Sequence, residues 1–462
     1  MKAIVVGSGG REHALAWKLL KSPNITEVVC IPGNGGTALL PGCRNVAMAV
    51  TEAEGIARCA LVNNMAFVVV GPEQPLAEGL ADRLSDQGIK VFGPNRDGAQ
   101  IEASKAWAKD LMAEANVPTA AAATFTEAAD AIAYVRQQGT QTQDAQNQDA
   151  QNQSEQNQSA PIVVKADGLA AGKGVTVAMT AEDAIAAVEA AFSGRFGAAG
   201  ERVVIEEFLE GQEVSVLAVT DGQTIRPLLP AQDHKQIGEG DTGPNTGGMG
   251  AYSPTPLMPA ALLDRVQKEV LDPTLDALKA RGIDYRGVLY AGLIITPAGD
   301  PKVIEFNCRF GDPETQVVLP LLETSLDEIV LACCEQRLAD LPPFKWQAAA
   351  SACVVMAAKG YPGAYKKGLS IALNDAESDD TVVFHAGTRV SEGQLKSTGG
   401  RVLGVSAIAP NFQAALDKAY RAIDKIDFPD SYYRRDIGHR IKGFTALKES
   451  EPKSVNEGGN KD

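Results

Sequence analysis

The first hundred residues repeat one unit: a short apolar run, a Gly-rich turn, then a helical stretch. The runs cover 3–6, 28–31, 67–70 and 91–92, and the turns after them are Gly7-Ser8-Gly9-Gly10, Pro32-Gly33-Asn34-Gly35-Gly36, Gly71-Pro72-Glu73 and Gly93-Pro94-Asn95. Strands alternating with helices predict a doubly wound parallel sheet. Such sheets bind ligands outside the carboxyl ends of their strands, and all four turns fall on that edge. Any single turn of this kind can also do no more than close a loop.

The stretch Gly7 to His13 follows a strand and opens a helix, so its backbone N–H groups form an anion site. It fails the dinucleotide pattern G-x-G-x-x-G, because Glu12 stands where the last Gly belongs. The second strand ends in Ile31-Pro32 rather than in an acid that would grip a ribose. A phosphorylated sugar fits better than a nicotinamide cofactor.

A chain of 462 residues should form two to four domains. Its 58 acidic against 43 basic residues give a net charge of −15, which disfavours nucleic acid and membrane surfaces as partners. Small anionic substrates need only a local cluster of Lys and Arg. No apolar run approaches the roughly 18 residues of a membrane span, and Met1 to Gly7 reads as a first strand rather than a signal peptide. The seven cysteines form no C-x-x-C pair, so the thiols are expected to be reduced and mostly buried, in the cytoplasm.

Residues 137–160 are mostly Gln and Asn, with a near-repeat of five residues, and read as a disordered insertion. After it, strands are expected at 162–165, 175–178, 203–208, 213–219, 287–295 and 301–307, with helices at 128–136, 181–192 and 259–280. A third region carries strands near 352–357, 382–385 and 401–408, then a helix at 412–423.

Four elements in this part bear chemistry. Lys165 ends a strand, and a Gly-rich loop with Gly172, Lys173 and Gly174 leads into the next. The loop is either a flexible hairpin or a cover for a triphosphate. It is not a P-loop, since Gly174 follows Lys173 and a strand follows the loop. Next, Glu206, Glu207, Phe208 and Leu209, with Glu213 beyond, end an alternating strand in acids. They suit an adenosine, or equally a solvated edge. The run from Val303 to Glu314 places Glu305, Asn307 and Arg309 on one strand face. Two oxygen donors and a cation there suit Mg²⁺ and a migrating phosphoryl group, with a structural ion pair as the alternative. Last, Asp233-His234-Lys235 precede the Gly-rich stretch 241–250, and loops this long in compact domains are usually functional. His234 is either an ordinary loop histidine or a substrate contact.

Together these residues resemble the ATP-grasp superfamily and, within it, the phosphoribosylamine–glycine ligase family. The blocks DTGPNTGGMGAYSP and IEFNCRFGDPET are long and specific, and matching segments run from Gly7 to Gly438. The resemblance implies an α/β and α+β multidomain fold. An N-terminal substrate domain covers 1–104, and an ATP-grasp region with a mobile lid at about 117–192 covers 105–330. A small C-terminal α+β domain covers 331–446, followed by a disordered tail at 447–462. The implied activity joins glycine to 5-phosphoribosylamine at the expense of ATP, through glycyl phosphate, in a monomer. The implied metal is Mg²⁺ or Mn²⁺ on Glu305 and Asn307. ATP phosphates fall to Lys105, Lys165 and the Gly172–Lys173–Gly174 loop, and adenosine to Glu206, Glu207, Phe208, Leu209 and Glu213. Arg309, Lys173 and Asp312 take catalytic roles, with Asp312 facing the amino group of glycine. Gly9, Gly10, Asn34, Glu73, His234 and Lys235 line the substrate site. Many ATP-grasp enzymes carry a further acid on the preceding strand, but the corresponding residue here is Leu293. Rival readings are another ATP-grasp ligase of purine synthesis, a nucleotide-binding module without catalysis, and a nicotinamide oxidoreductase.

Deleting residues 141–159 should leave turnover unchanged. A large fall in activity with folding preserved would make the insertion functional.

Overall fold

The computed structural model describes residues 1–146, 161–169 and 174–441, with the side chains of 139–146 left aside. Five parallel strands form the N-terminal sheet, in the order Cys43–Asn45, Glu27–Pro32, Lys2–Gly7, Phe67–Val70, Val91–Phe92. Its faces pack into separate cores: Ile4, Val6, Val29 and Ile31 on one side, Ala3, Val5, Val28 and Cys30 on the other. Covered on both faces, a parallel sheet needs continuous apolar runs, which is what the sequence shows. The edge strand Cys43–Asn45 is too short and polar to have been anticipated. Strand order reverses beside Lys2–Gly7, so the turns at Gly7 and Gly71 flank the crevice.

Five further sheets follow among the described residues, two of them small ones of two and three strands; the other three position the site. The central one is antiparallel: Ile225–Pro227, Gln212–Asp221, Arg286–Ile295, Pro301–Asn307. A smaller one runs Ala122–Phe125, Val203–Glu207, Ile162–Ala166, Val175–Ala178. The C-terminal sheet is built on Ala350–Ala358, Arg401–Ala409 and Thr381–His385, but it also takes in Gln232–Asp233 and Gly250–Ser253. The segment 232–253 therefore bridges the central and C-terminal parts of the chain.

Two expectations need correction. Helix Ala128–Gln146 runs ten residues into the stretch read as disordered from 137. Gln and Ala are good helix formers, and low hydrophobicity alone does not stop a helix that is already nucleated; residues 147–160 lie outside the described residues. The single helix expected over 259–280 is instead Ala260–Val266, a π-type turn Gln267–Leu271, and Asp272–Ala280. Pro273 lacks the N–H that would continue the regular ladder, and the wider turn absorbs the gap. The tail expected at 447–462 lies outside the described residues. Among the described residues, no helix is long and apolar enough to cross a membrane.

The chain's last described segment clamps the 241–250 loop. Arg434 is fully buried, its guanidinium bonded to Asp241 at 2.9 Å, to Asp436 at 2.7 and 2.8 Å, and to the Gln236 carbonyl at 3.0 Å. Arg440 adds a second grip on Asp241 at 2.7 Å. Breaking a buried pair strands its partners, so Arg434→Met should cost about 3 kcal/mol or more in denaturant unfolding. A loss below about 1 kcal/mol would place the cluster with ordinary surface pairs.

Candidate active site

The site is built around the strand Pro301–Asn307 and an irregularity in it. Glu305 opposes Gly292 and Val303 opposes Leu293, so Ile304 is an extra residue, a β-bulge. The bulge shifts the alternation. Val303, Phe306 and Cys308 all enter the apolar core, while Glu305, Asn307 and Arg309 face a cleft of about 370 Å³. Without the bulge Glu305 would share the face of Val303. Arg309 donates to Asn307 Oδ1 at 2.9 Å and Glu102 at 2.8 Å, and to Glu73 at 3.2 Å, which fixes the guanidinium from three sides.

Cations converge on Glu305. Burial opposes its charge, but Lys235, Lys165, Lys105 and Arg309 together hold its carboxyl below the usual range. Lys165 reaches the Ile304 carbonyl at 3.0 Å and Glu206 at 2.9 Å. Lys109, which the sequence reading missed, meets the same Glu206 at 3.3 Å, and burial pushes its amine down to about 8. Lys105 bonds the Gly168 carbonyl at 2.9 Å, and burial lowers its pKa. Asp167 ties this wall together, accepting from Ser104 Oγ and the Ala106 N–H at 3.1 Å.

The Glu305 carboxylate has no hydrogen bond or ion pair to a described residue and stands beside the Asn307 amide. That pair suits a hard divalent cation whose remaining ligands are phosphate and water. Leu293 is fully buried in the apolar core. Among the described residues, no group of three or more His, Cys, Asp or Glu could hold a metal by itself.

The other predicted residues divide. Glu206, Gly174, Lys235 and Glu73 line the cleft. Gly172 and Lys173 lie outside the described residues. Glu207, Phe208, Leu209 and Glu213 are not among the lining residues: Glu207 turns outward to Lys302 and the Ala121 N–H, and Glu213 bonds Lys235 at 2.6 Å. His234 is fully buried behind the cleft and accepts from the Gly438 N–H at 3.1 Å. Burial and Arg440 push it down to about 3, so it stays neutral. Asp312 lines the cleft, but its oxygens accept from the Arg11 N–H at 3.2 Å and Gln316 at 2.8 Å and face Arg401 at 3.4 Å.

At the N-terminal crevice, Glu12 explains the glycines around it. A Cβ on Gly7 (φ +130°) would lie 2.4 Å from its side chain, and one on Gly71 2.1 Å away. The acid fills the space between these turns and accepts from the Gly9 N–H. Gly10 faces Gln316 and Asp312. Asn34 caps the next helix through the Gly36 and Thr37 N–H groups, and its amide donates to the carbonyls of Ser8 and His385. It thus staples the first two turns to the C-terminal part. Arg401 is a second missed residue: from the C-terminal sheet it bonds the carbonyls of Gly247 and Asp312, joining three segments at the cleft rim. Its signal, an Arg after a Gly pair, is too common to find by eye.

A nucleotide-sized cleft walled by a small antiparallel sheet and a polar strand end defines an ATP-grasp protein, and the comparisons agree. Three models match in chain order, described as the N domain, the ATP-grasp (A) domain and the C domain of phosphoribosylglycinamide synthetase, over residues 1–102, 103–315 and 351–440. The chain belongs to the phosphoribosylglycinamide synthetase family. It is 61% identical to the phosphoribosylamine–glycine ligase of Nostoc sp. over 96% of this chain and 100% of that one. The ligase of Synechocystis sp. is 55% identical over 95% and 100%. The crystal structure of the Thermotoga maritima ligase superposes with a TM-score of 0.78 at 32% identity, covering 94% of this chain and 100% of that one.

Proposed function

We propose that the protein joins glycine to 5-phosphoribosylamine, with ATP converted to ADP and phosphate and glycinamide ribonucleotide as product, in de novo purine synthesis. The observation that carries this reading is the bulged strand, which turns an acid, an amide and a guanidinium into a lysine-rich cleft. A carboxylate does not acylate an amine at neutral pH, because its leaving group would be oxide. Transfer of the γ-phosphoryl group to glycine gives glycyl phosphate, and the ribosylamine nitrogen then displaces phosphate. No enzyme nucleophile is needed, and burial pushes the Cys308 thiol well up, so it stays protonated.

The protein's part is to position and to neutralise charge. Lys105 and Lys165 face the phosphates, with Glu206 and Lys109 behind them. Glu305 and Asn307 hold a divalent cation, Mg²⁺ or Mn²⁺, which would neutralise the triphosphate as the bond breaks. Arg309, braced by Glu73 and Glu102, stabilises charge on the acyl phosphate. The turns at Gly9, Gly10, Asn34 and Glu73 take the phosphoribosyl group. Residues 117–192 act as a lid that keeps water from the acyl phosphate. We place the enzyme in the cytoplasm as a monomer.

ADP release from the purified protein should require both glycine and freshly made phosphoribosylamine; release with neither would point to another acceptor. Arg309→Ala should lower kcat by a factor on the order of 10²–10³, the loss of one charge-stabilising donor. An unchanged kcat would remove Arg309 from the transition state.

A further inference from the structure

The carboxylates of the cleft can be accounted for one by one. Glu73 and Glu102 hold Arg309. Glu206 lies between Lys109 and Lys165, Asp312 accepts from Arg11 and Gln316, and Glu314 accepts from Ser215 at 3.1 Å and Tyr290 at 2.7 Å. Glu305, which also has no partner among the described residues, would hold the cation. Asp233 remains. It lines the cleft, is only 5% exposed, and has no hydrogen bond or ion pair from its side chain to any described residue.

Its backbone is fixed. Asp233 pairs with Ala251 in the C-terminal sheet, its carbonyl accepts from Arg440 at 3.1 Å, and the next N–H bonds Gly250 at 2.9 Å. Alternation turns His234 inward against Tyr252 and leaves Asp233 and Lys235 facing the cleft. Its carboxylate opens onto the cleft with no donor from the described residues, so a bound ligand can supply one.

Resting on the ligase reading above, we propose that Asp233 is the acceptor for the ammonium group of glycine. Glycine is a zwitterion with only two groups to recognise. Its carboxylate must meet the phosphoryl donor beside Glu305 and Arg309, so its ammonium needs an acid on an adjoining wall. Asp312, the other cleft Asp, already has donors on its oxygens. Glycine's lack of a side chain leaves the ammonium as the feature that separates it from glycolate, and the Asp233 carboxylate makes that distinction.

The charges around Asp233 give the proposal a pH signature. Burial pushes its carboxyl up to about 7; Lys235 and Arg440 favour the ionised form, and Glu314 and Glu213 oppose it. Lys235 itself is held well above its ordinary value and stays charged. Ammonium binds the ionised acid, so glycine affinity is full above pH 7 and falls as the acid protonates below it. At saturating ATP and phosphoribosylamine, KM for glycine should rise as pH drops through 7, approaching tenfold per unit, while kcat changes little.

The test is glycine-dependent ADP release by wild type and Asp233→Asn between about pH 6 and 8.5, with ATP binding by calorimetry as the check on folding. The variant should show KM for glycine raised on the order of 10²-fold, no pH slope in that KM, a much smaller change in kcat, and reduced preference for glycine over glycolate. An unchanged KM and slope in the variant would overturn the assignment. If the variant does not fold, wild type decides: a flat KM across this range overturns it as well. Wild-type ADP release that ignores glycine would instead overturn the ligase reading, and this one with it.

Discussion

In the strand Pro301–Asn307, one extra residue decides which side of the sheet carries charge. Regular alternation would send Glu305 to the side of Val303, into a core that also holds Leu293 and Phe306. An ionised carboxylate there would be expensive to bury. The bulge at Ile304 lets Val303 and Phe306 share the apolar side and delivers Glu305, Asn307 and Arg309 together to the other. The Ile304 carbonyl also receives the Lys165 ammonium, so the same irregularity seats one of the cleft lysines. The polar wall of the cleft and the guanidinium brace both depend on this register.

The second constraint is electrostatic. A chain with net charge −15 gathers Lys105, Lys109, Lys165, Lys235, Arg11, Arg309 and Arg401 around one cleft. Such a cluster needs counter-charges in the empty state, and Glu206, Glu213, Glu73 and Glu102 supply them. These pairs keep the cations ordered while leaving them available to a polyphosphate. The C-terminal part contributes more than a cover: Arg401 joins the rim, and the strand Gln232–Asp233 is held by that sheet while presenting its acid to the cleft.

Much of this was legible in the sequence. The parallel sheet was readable because buried strands demand continuous apolar runs between Gly turns. The polar strand face was readable because acid, amide and guanidinium at every second position make no sense in a core. What stayed hidden depends on contacts between distant segments. Nothing local shows that Asn34 spends its amide on Ser8 and His385, that His234 turns away from the cleft, or that Arg401 reaches Asp312 across 89 residues. The bulge was equally hidden, since the two-residue period gave the right face for Glu305, Asn307 and Arg309 without showing how Val303 avoids sharing it. The Gln-rich segment misled because composition reports what a segment cannot bury, not whether an adjoining helix will run into it.

The most direct test of the central claim is anomalous diffraction from crystals grown with Mn²⁺ and a non-hydrolysable ATP analogue. A metal peak is expected at the side chains of Glu305 and Asn307, with the analogue's phosphates between it and Lys105 and Lys165. A nucleotide bound in the cleft with its metal held elsewhere, and Glu305 turned away, would contradict it.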